Sequence, residues 1–510
     1  MFKRILVANR GEIAVRIIRT CREMGIESVA LFSDADANAL HIVLADYAEN
    51  LPGTSPAETY LNIDRIIEIC RKYKVDALHP GYGFLSENPL LAEACDRAKV
   101  KFIGPGAQAI RDLGNKVKAK ELAKKAGTPI SPGTEGAVAG VEEAIEFAKQ
   151  AGFPLMLKAA AGGGGRGIRV VKKMEEMEKA FSSCQNEARG AFGDDSIFIE
   201  RYIENPKHIE FQIIADEHGN VVHLGERDCS VQRRHQKLIE EAPSPALTPE
   251  LREKMGAASV ALAKEAGYAN AGTVEYLLDS KGDFYFMEMN TRLQVEHPVT
   301  EMITGIDLVR QQIRVAAGEK LEFRQEDVEI KGWAFEARIN AEDPYRGFMP
   351  ALGLLNRYIP PQGPGVRLDS CAYEGFDIPS QYDSMVAKLI TYGPDRETAA
   401  IRMLRALHEF IVTGVRTTIP FHDFVFSHPV FRSGDFTTAF VDNHFSEEQV
   451  KKLVSGPQEG ISSEQIALAA ALKYYLDRSE VIVSNQADDR EAGRRWALVN
   501  RLASTSYLPN

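Results

Sequence analysis

The chain of 510 residues has only six cysteines, and no two of them form a Cys-x-x-Cys pair. Their scatter excludes a disulfide framework and argues against a zinc site. No apolar run approaches the roughly 18 residues that a membrane-spanning helix needs, so no membrane association is expected. Arg10, Glu12 and Arg16 interrupt the apolar N-terminal stretch before it reaches the length of a signal peptide. We therefore expect a reduced, cytoplasmic protein.

An excess of positive charge is also missing. Lysine and arginine number 61 and aspartate and glutamate 72, which gives a formal net charge of −11. Non-specific nucleic-acid binding needs a basic surface, so nucleic acid is not an expected partner. Hydrophobic residues at 44% and charged residues at 26% are typical of a globular protein. The length suffices for about three domains at roughly 150 residues each.

Three common nucleotide-binding signatures are absent. No glycine is followed by lysine, which excludes the P-loop. The turn after the first predicted strand carries only Gly11 and lacks the three-glycine dinucleotide fingerprint. The His-Arg-Asp and Asp-Phe-Gly motifs of protein kinases are missing too. If ATP binds, it binds by another architecture.

The N-terminal part shows a βαβα rhythm, which indicates a parallel sheet covered by helices. The predicted strands are 4–8, 28–32 and 77–78, and the predicted helices are 12–24 and 62–73. We place this first, α/β domain at residues 1–115.

The remainder is predicted to be α+β. A second domain at 116–330 opens with a lysine-rich helix and is richer in strands, which need not be parallel. Those strands are predicted at 196–203, 207–215, 221–225, 271–278 and 283–289. A third domain at 331–445 contains a helix at 396–410. An extension at 446–510 contains a predicted helix at 462–476, where Ser462 and Gln465 form a capping-box pattern.

A glycine loop lies between two predicted strands, where residues 162–167 read Gly-Gly-Gly-Gly-Arg-Gly. The backbone N–H groups of such a loop can surround phosphate oxygens, and the loop can open and close. A flexible hairpin tip is the alternative. Because Lys158 lies just before the loop, we favour phosphate contact.

The most informative segment is 284–301, in which a strand is followed by a polar residue at every second position. These residues are Glu288, Asn290, Arg292, Gln294 and Glu296. An extended chain from 288 to 296 would cover ~26 Å at ~3.3 Å per residue, so the chain must bend after Asn290. We expect a metal end at Glu288 and Asn290, where Glu275 adds a carboxylate, and an anion end from Arg292 to Glu296. A surface pair of glutamates is the alternative for Glu275 and Glu288.

Three further segments carry weaker signals. The basic stretch 232–237 is a candidate phosphate clamp or, equally, a solvated loop. The strand 335–340 places Glu336, Arg338 and Asn340 on one face, which an ion-paired strand would also explain. The turn 79–88 places Tyr82 and Gly83 where they could approach a ligand.

Together, five motifs resemble the biotin carboxylase family over residues 1 to about 445. They are Asn-Arg-Gly-Glu-Ile-Ala at 9–14, His-Pro-Gly-Tyr-Gly-Phe-Leu-Ser-Glu-Asn at 79–88, the glycine loop, 226–237 and 288–301. The resemblance implies a Rossmann-like N-terminal domain, an ATP-grasp central domain with a glycine-rich lid at about 130–203, and a C-terminal mixed α+β domain. It also implies that Mg²⁺ (or Mn²⁺), ATP and bicarbonate give carboxyphosphate, whose carboxyl group passes to N1 of biotin.

The resemblance assigns roles to individual positions. The residues that would contact the nucleotide are Lys116, Lys158, Gly163, Gly164, Gly165, Glu200, Tyr202, Ile203, His208, Gln232, His235 and Leu277. The residues that would bind the metal are Glu275, Glu288 and Asn290. Arg201 departs from many relatives, which have lysine there.

The remaining roles concern bicarbonate and biotin. The residues at the bicarbonate and carboxyphosphate site would be Lys237, Arg292, Gln294 and Val295. Glu296 would be the base that deprotonates bicarbonate. Arg338 would stabilise the biotin enolate, and Tyr82 and Gly83 would lie on the biotin side. The catalytic set is therefore Glu296, Arg338, Arg292 and Lys237.

The sequence contains no Ala-Met-Lys-Met biotin attachment signal. We therefore expect biotin to arrive on a separate biotin carboxyl carrier protein, with a carboxyltransferase subunit completing the reaction. The resemblance implies a homodimer, and the helix at 462–476 is expected to contact a partner subunit or its own C-terminal domain. Two other interpretations are another ATP-grasp ligase, which joins a carboxylate to an amine, and a catalytically silent subunit.

Overall fold

The computed structural model describes residues 1–134, 136–138, 140–159, 167–192, 195–446 and 448–450. Residues 162–166 of the glycine loop, with Gly163, Gly164 and Gly165, lie outside these residues, as does the predicted helix at 462–476. Among the described residues, no helix combines the length and apolar character needed to cross a bilayer.

The N-terminal part forms a parallel five-stranded sheet in the order β3-β2-β1-β4-β5, as predicted. Ile5, Leu6 and Val7 are fully buried because helices cover both faces of the sheet. The strands are β1 Arg4–Val7, β2 Glu27–Ser33, β3 Tyr47–Leu51, β4 Ala77–His79 and β5 Lys101–Phe102. The helices are α1 Gly11–Glu23, α2 Leu40–Leu44, α3 Ile63–Tyr73, α4 Pro89–Ala98 and α5 Ala107–Gly114.

A smaller unit with its own core follows. Its antiparallel sheet has the order β7-β6-β8, and its core includes Leu157 and Phe181. Its strands are β6 Leu155–Ala159, β7 Ile168–Val171 and β8 Ile197–Arg201. The helices of this stretch are α6 Lys116–Lys125, α7 Val141–Ala151 and α8 Met177–Phe192.

The largest element is an antiparallel eight-stranded sheet in the order β13-β12-β9-β10-β11-β14-β19-β18. It continues across residue 330, where the sequence predicts a domain boundary, because β14 pairs with β11 on one side and β19 on the other. Its strands are β9 Lys207–Ala215, β10 Val221–Arg233, β11 Gln236–Ala242, β12 Asn270–Leu278, β13 Phe284–Asn290, β14 Trp333–Asn340, β18 Val366–Ser370 and β19 Met385–Gly393.

The predicted strand at 221–225 was too short, since β10 runs on to Arg233. The charged residues Glu226, Arg227 and Asp228 are typical of a loop, yet all three are buried. Arg227 pairs with Glu210 and Asp228 with Lys207 in the same sheet, whereas Glu226 pairs with Arg252 of a covering helix. Side-chain ion pairs therefore permit charges inside a strand that composition alone places at the surface.

Helices and short strands complete the structure. An aromatic core that includes Phe335, Phe421 and Phe431 lies between the C-terminal helices and the large sheet. The short strands are β15 Glu342–Asp343, β16 Met349–Pro350, β17 Arg357–Ile359 and β20 Ile411–Thr413. The helices are α9 Pro249–Glu265, α10 His297–Thr304, α11 Leu308–Ala316, α12 Arg396–Glu409, α13 Ile419–Ser427, α14 Pro429–Ser433 and α15 Phe440–His444.

Candidate active site

A cleft of about 1870 Å³ brings nearly all of the predicted site residues together. Those lining it are Tyr82, Gly83, Lys116, Lys158, Glu200, Tyr202, Ile203, His208, Gln232, His235, Lys237, Glu275, Leu277, Glu288, Asn290, Arg292, Gln294, Val295 and Arg338. Glu296 lies beneath the cleft surface and is fully buried. The structure thus collects residues that the sequence spreads over more than half of the chain.

Two carboxylates face each other across neighbouring strands at one end of the cleft. Glu275 on β12 is the direct register partner of Glu288 on β13. Asn290 donates a hydrogen bond to Glu275 Oε1 at 2.8 Å. Glu288 is still exposed to the cleft, yet partial loss of hydration, reinforced by the charge of Glu275, raises the pKa of Glu288. Paired oxygen ligands that repel one another favour a hard divalent cation, so these three residues fit Mg²⁺.

His208 lies on the neighbouring strand β9 and orients Glu275. Its Nε2 lies 2.8 Å from Glu275 Oε2, and both side chains are buried. Burial opposes the imidazolium, but the Glu275 charge outweighs burial and raises the pKa of His208. The histidine therefore fixes one oxygen of the predicted metal ligand.

Lys237 joins the metal end of the cleft to its base end. Its ammonium donates to Glu275 at 2.8 Å, to Glu296 at 2.7 Å, and also to Glu210. Burial disfavours the charged form, but the three carboxylates raise the pKa of Lys237 well above its usual value. A cation fixed between the two ends can stabilise negative charge at either end of the cleft.

Glu296 is held between two cations at the N-terminus of α10. Its Oε1 accepts from Lys237, and its Oε2 accepts from Arg338 Nη2 at 2.9 Å. Burial alone would raise its pKa, yet Lys237, Arg338 and Arg227 together lower the pKa of Glu296 well below the usual range. The carboxylate is thus ionised and can accept a proton, as a base requires.

The chain leaves the strand after Asn290, as the distance argument predicts, and α10 begins at His297. In this bend, Arg292 donates to Gln294 Oε1 at 3.0 Å and to Asn290 Oδ1 at 3.3 Å. Gln294 Nε2 is buried and has no hydrogen-bond partner among the described residues. An unsatisfied donor beside a guanidinium fits an anion bound in the cleft.

Lys388 on β19 contacts the bend at 291–296 on its buried side. The side chain is fully buried, and its Nζ donates to the Val295 carbonyl at 2.7 Å and pairs with Glu12 at 3.2 Å. Tyr82 also donates to Glu12 through a short hydrogen bond. The turn 79–88 is therefore connected to the bend at 291–296 through buried charges.

The other end of the cleft has the character of a nucleotide site. Lys158 donates to Glu200 at 2.6 Å, and Lys120 contacts the same carboxylate. Burial opposes ionisation, but the two lysines lower the pKa of Glu200. The less polar wall nearby comes from Tyr202, Ile203 and Leu277.

The basic stretch 232–237 is a β-hairpin between β10 and β11, whose tip residues Arg234 and His235 have φ of 50° and 65°. Arg234, His235 and Lys237 line the cleft, whereas Arg233 lies over the Phe348 ring and donates to the Gly347 carbonyl. The hairpin is thus divided between ligand-facing and packing roles.

Sequence reasoning missed several buried residues of the site, notably Glu210, Arg227 and Lys388. Arg227 is fully buried and donates to Glu210 Oε1 at 2.5 Å. One signal was available, because β9 carries polar residues at every second position (His208, Glu210 and Gln212), the same alternation as in 288–296. No sequence pattern marks Arg227 or Lys388.

Family models match most of the chain. The model for the N-terminal domain of biotin carboxylase matches residues 1–110, and that for its C-terminal domain matches 336–443. The ATP-binding domain of the carbamoyl-phosphate synthase large chain matches 115–324. Biotin carboxylase 1 of Bacillus subtilis is 54% identical over 445 residues, which cover 87% of this chain and 99% of that protein. The chain belongs to the biotin carboxylase family.

Other relatives agree with this family assignment. A pyruvate carboxylase subunit of Methanothermobacter thermautotrophicus is 52% identical over 487 residues, 93% of this chain and 99% of that protein. The biotin carboxylase domain dimer of the 2-oxoglutarate carboxylase of Hydrogenobacter thermophilus, solved with MgADP and bicarbonate, matches with TM-score 0.82 and 50% identity. That match covers 87% of this chain and 98% of the solved chain.

Proposed function

We propose that this protein catalyses the ATP-dependent carboxylation of biotin with bicarbonate through carboxyphosphate, giving N1-carboxybiotin, ADP and phosphate. The observation that carries the proposal is the position of Glu296. This buried, ionised carboxylate lies between Lys237 and Arg338 and near a pair of carboxylates suited to Mg²⁺. The amide of Gln294, two residues before it, has a donor without a partner among the described residues.

The anion end binds and orients bicarbonate. Arg292 and Gln294 supply donors on one side, and Lys237 supplies a cation on the other. In the part of the chain that the structure describes, Gln294 Nε2 has no other partner. Holding the anion against the nucleotide replaces a bimolecular encounter by a positioned one, which can contribute several of the ~7–11 kcal/mol that such effects reach. Glu296 accepts the bicarbonate proton, so that a carbonate oxygen can attack the γ-phosphate.

The metal end of the cleft is proposed to bind the triphosphate of ATP. Glu275, Glu288 and Asn290 would hold Mg²⁺, which when bound offsets the charge of the phosphate oxygens. Lys116 and Lys158 line the same cleft and add positive charge toward the phosphates. Gly163, Gly164 and Gly165, which lie outside the described residues, are proposed to close over the nucleotide and limit hydrolysis of carboxyphosphate.

Biotin is proposed to enter beside Arg338, Tyr82 and Gly83. The Arg338 guanidinium is mostly enclosed and held by Glu240 at 2.7 Å, so it can meet a developing enolate oxygen without reorganising. The exposed Gly83 backbone offers a contact on the other side.

The relatives support a proposal on assembly. Two of them are named as carboxylase subunits and one solved relative is a dimer, so we propose a homodimer. We also propose a cytoplasmic location. The homodimer would act with a separate biotin carboxyl carrier protein and a carboxyltransferase subunit. We keep the divisions at 1–115, 116–330 and 331–445, and assign partner contact to the extension at 446–510.

Bicarbonate-dependent ADP release, measured with and without free biotin, tests the proposed function. We expect biotin to stimulate release, and absence of stimulation points instead to another ligase of the ATP-grasp type. Glu296→Gln should lower biotin-dependent turnover by ~10²–10⁴-fold, the usual value of a positioned base, with ADP binding retained. Glu319→Gln, a partly exposed carboxylate paired with Arg314 outside the cleft, is the matched control.

A further inference from the structure

Apart from the contact of Glu240 with Arg338, two carboxyl groups beneath the cleft have no role in the proposed reaction. Glu240 on β11 and Glu336 on β14 are direct register partners, and both are fully buried. Residues directly opposite on antiparallel strands have Cβ atoms about 4.5–5.5 Å apart, so the two carboxyl groups are neighbours. Two like charges so placed are unfavourable unless the pair holds a proton.

The hydrogen bonding supports a shared proton. Glu240 Oε2 and both carboxyl oxygens of Glu336 are buried without a hydrogen-bond partner in the described part of the chain. A buried, ionised carboxylate with unsatisfied oxygens carries a large desolvation cost, whereas a protonated one can donate to its neighbour.

Charged groups from several elements face this pair. Lys388 on β19, Arg338 on β14 and Lys237 on β11 are the cations, and Glu296 from the end of the bend adds a negative charge. Burial, assisted by Glu296 and opposed by Arg338, raises the pKa of Glu240 to about 7. Burial and Glu240 raise the pKa of Glu336 well above the usual range although Lys388 opposes them.

A single nitrogen connects the pair to the base. Arg338 Nη2 contacts both Glu240 Oε1 and Glu296 Oε2. The two carboxyl oxygens therefore flank one guanidinium nitrogen, close enough for one water molecule to relay a proton between them. Arg338 itself stays charged, because the surrounding carboxylates more than offset burial and raise its pKa further.

The proton balance of the reaction shows why Glu296 needs a neighbouring group that accepts a proton. ATP⁴⁻, bicarbonate and biotin become ADP³⁻, hydrogen phosphate, the carboxybiotin anion and one proton. The phosphate released from carboxyphosphate takes the biotin N1 proton, so the bicarbonate proton is left on Glu296. Glu296 must lose that proton before it can accept another.

Resting on the proposed function, we propose that Glu240 and Glu336 form a proton-sharing carboxyl pair that takes the proton from Glu296 and restores the base between turnovers. The O–H bond at Glu296 breaks and an O–H bond forms at Glu240. Glu336 keeps the proton that the pair already held, so both carboxyl groups are then neutral. The pair later releases one proton to water in the cleft. Neither residue is among those that line the cleft, so both act through the base and are positioning residues for it.

Rapid-quench measurement of ADP in Glu240→Gln and Glu336→Gln tests the proposal, because glutamine keeps the shape but cannot take up the proton. We expect a first turnover at the wild-type rate, equal to one ADP per site, followed by a steady state slowed about tenfold. Added small buffer bases should speed the slow phase. Glu342→Gln changes a buried carboxylate of the same segment, bonded to Ser384, and should show no such burst.

Equal slowing of the first and later turnovers, or a wild-type steady state, overturns the proposal. Infrared spectra of the wild-type protein give a test that requires no variant. A carbonyl band from a buried, protonated carboxylic acid should be present at neutral pH, and its absence also overturns the proposal. A wild-type protein without bicarbonate-dependent ADP release would instead refute the proposed function, so the two failures are distinguishable.

Discussion

Arg292 Nε donates to Glu87 Oε2 at 2.8 Å, and Glu87 Oε1 accepts from the Thr291 backbone N–H at 3.0 Å. Glu87 thus ties the predicted bicarbonate-binding arginine to the turn 79–88 of the N-terminal sheet. The contact joins residues 205 positions apart. Two loops on separate sheets are held in one arrangement by this carboxylate.

Loss of the hydrogen bond between Glu87 and Arg292 should weaken bicarbonate binding more than it slows the chemical steps. Glu87→Gln removes a charge-assisted hydrogen bond worth about 1.5–3 kcal/mol, so KM for bicarbonate should rise roughly tenfold or more while kcat changes less. Steady-state ADP release against bicarbonate concentration measures this. Glu93→Gln, a partly exposed carboxylate paired with Arg111, is the control. An unchanged KM would show that Arg292 holds its position without Glu87.

Arg227 should be a stability determinant of the site. It donates to Glu210 at 2.5 Å, to Gln212 at 2.8 Å and to Thr300 at 2.9 Å, entirely out of solvent. Arg227→Met leaves these acceptors buried without their donor, so the free energy of unfolding should fall by about 3–5 kcal/mol.

Urea unfolding followed by tryptophan fluorescence measures the loss at Arg227. The double variant Arg227→Met with Glu210→Gln should lose less than the two single variants together, because the uncompensated charge is gone. Additive losses would mean that Arg227 and Glu210 do not stabilise each other.

Asp369 makes stability fall in acid. Burial opposes its ionisation, but two hydrogen bonds from Arg367, at 2.9 and 2.7 Å, help lower the pKa of Asp369 from 3.8 to about 2. A carboxyl group with a depressed folded-state pKa stabilises the fold above pH 3.8, and this stability is lost as pH falls toward 2.

The loss at Asp369 amounts to roughly 2 kcal/mol. Asp369→Asn should therefore flatten the fall of the thermal midpoint in this pH range and lower the midpoint at neutral pH. The exposed Asp435 gives the matched variant Asp435→Asn, which should keep the wild-type slope. A wild-type slope in Asp369→Asn would contradict the assignment.

Glu288 should set the requirement for divalent metal. Glu288→Gln removes one of the two facing carboxylates, so the Mg²⁺ concentration for half-maximal ADP binding should rise about tenfold or more. Equilibrium binding of a fluorescent ADP analogue measures this without turnover. Asp283→Asn, an exposed carboxylate at the other end of the same hairpin, is the control. An unchanged Mg²⁺ dependence would remove Glu288 from the metal site.

Local patterns predicted those parts of the fold and site that depend on short stretches of sequence. The strand β9 agrees in both limits with its predicted span, and the bend after Asn290 follows from extended-chain distances alone. The alternation at Glu288 and Asn290 predicted a shared face because a strand repeats every two residues.

Long-range pairing could not be predicted in the same way. The register that sets Glu240 opposite Glu336 depends on strands almost a hundred residues apart. Lys388 is a lone charge in an apolar strand, and partners distant in sequence, such as Glu12 and Val295, explain its burial. Such pairs become visible only when the sheet order is known, because the sequence does not encode which strands are neighbours in any short window.

The continuous sheet across residue 330 restricts how this protein can be recombined. The base-holding Arg338 reaches Glu296 only because β14 is hydrogen-bonded to β11. A chimaera that joins the first 330 residues to the remainder of a relative would have to match the backbone and side-chain contacts between β11 and β14. We therefore expect that the segments before and after residue 330 can be exchanged with a relative only together.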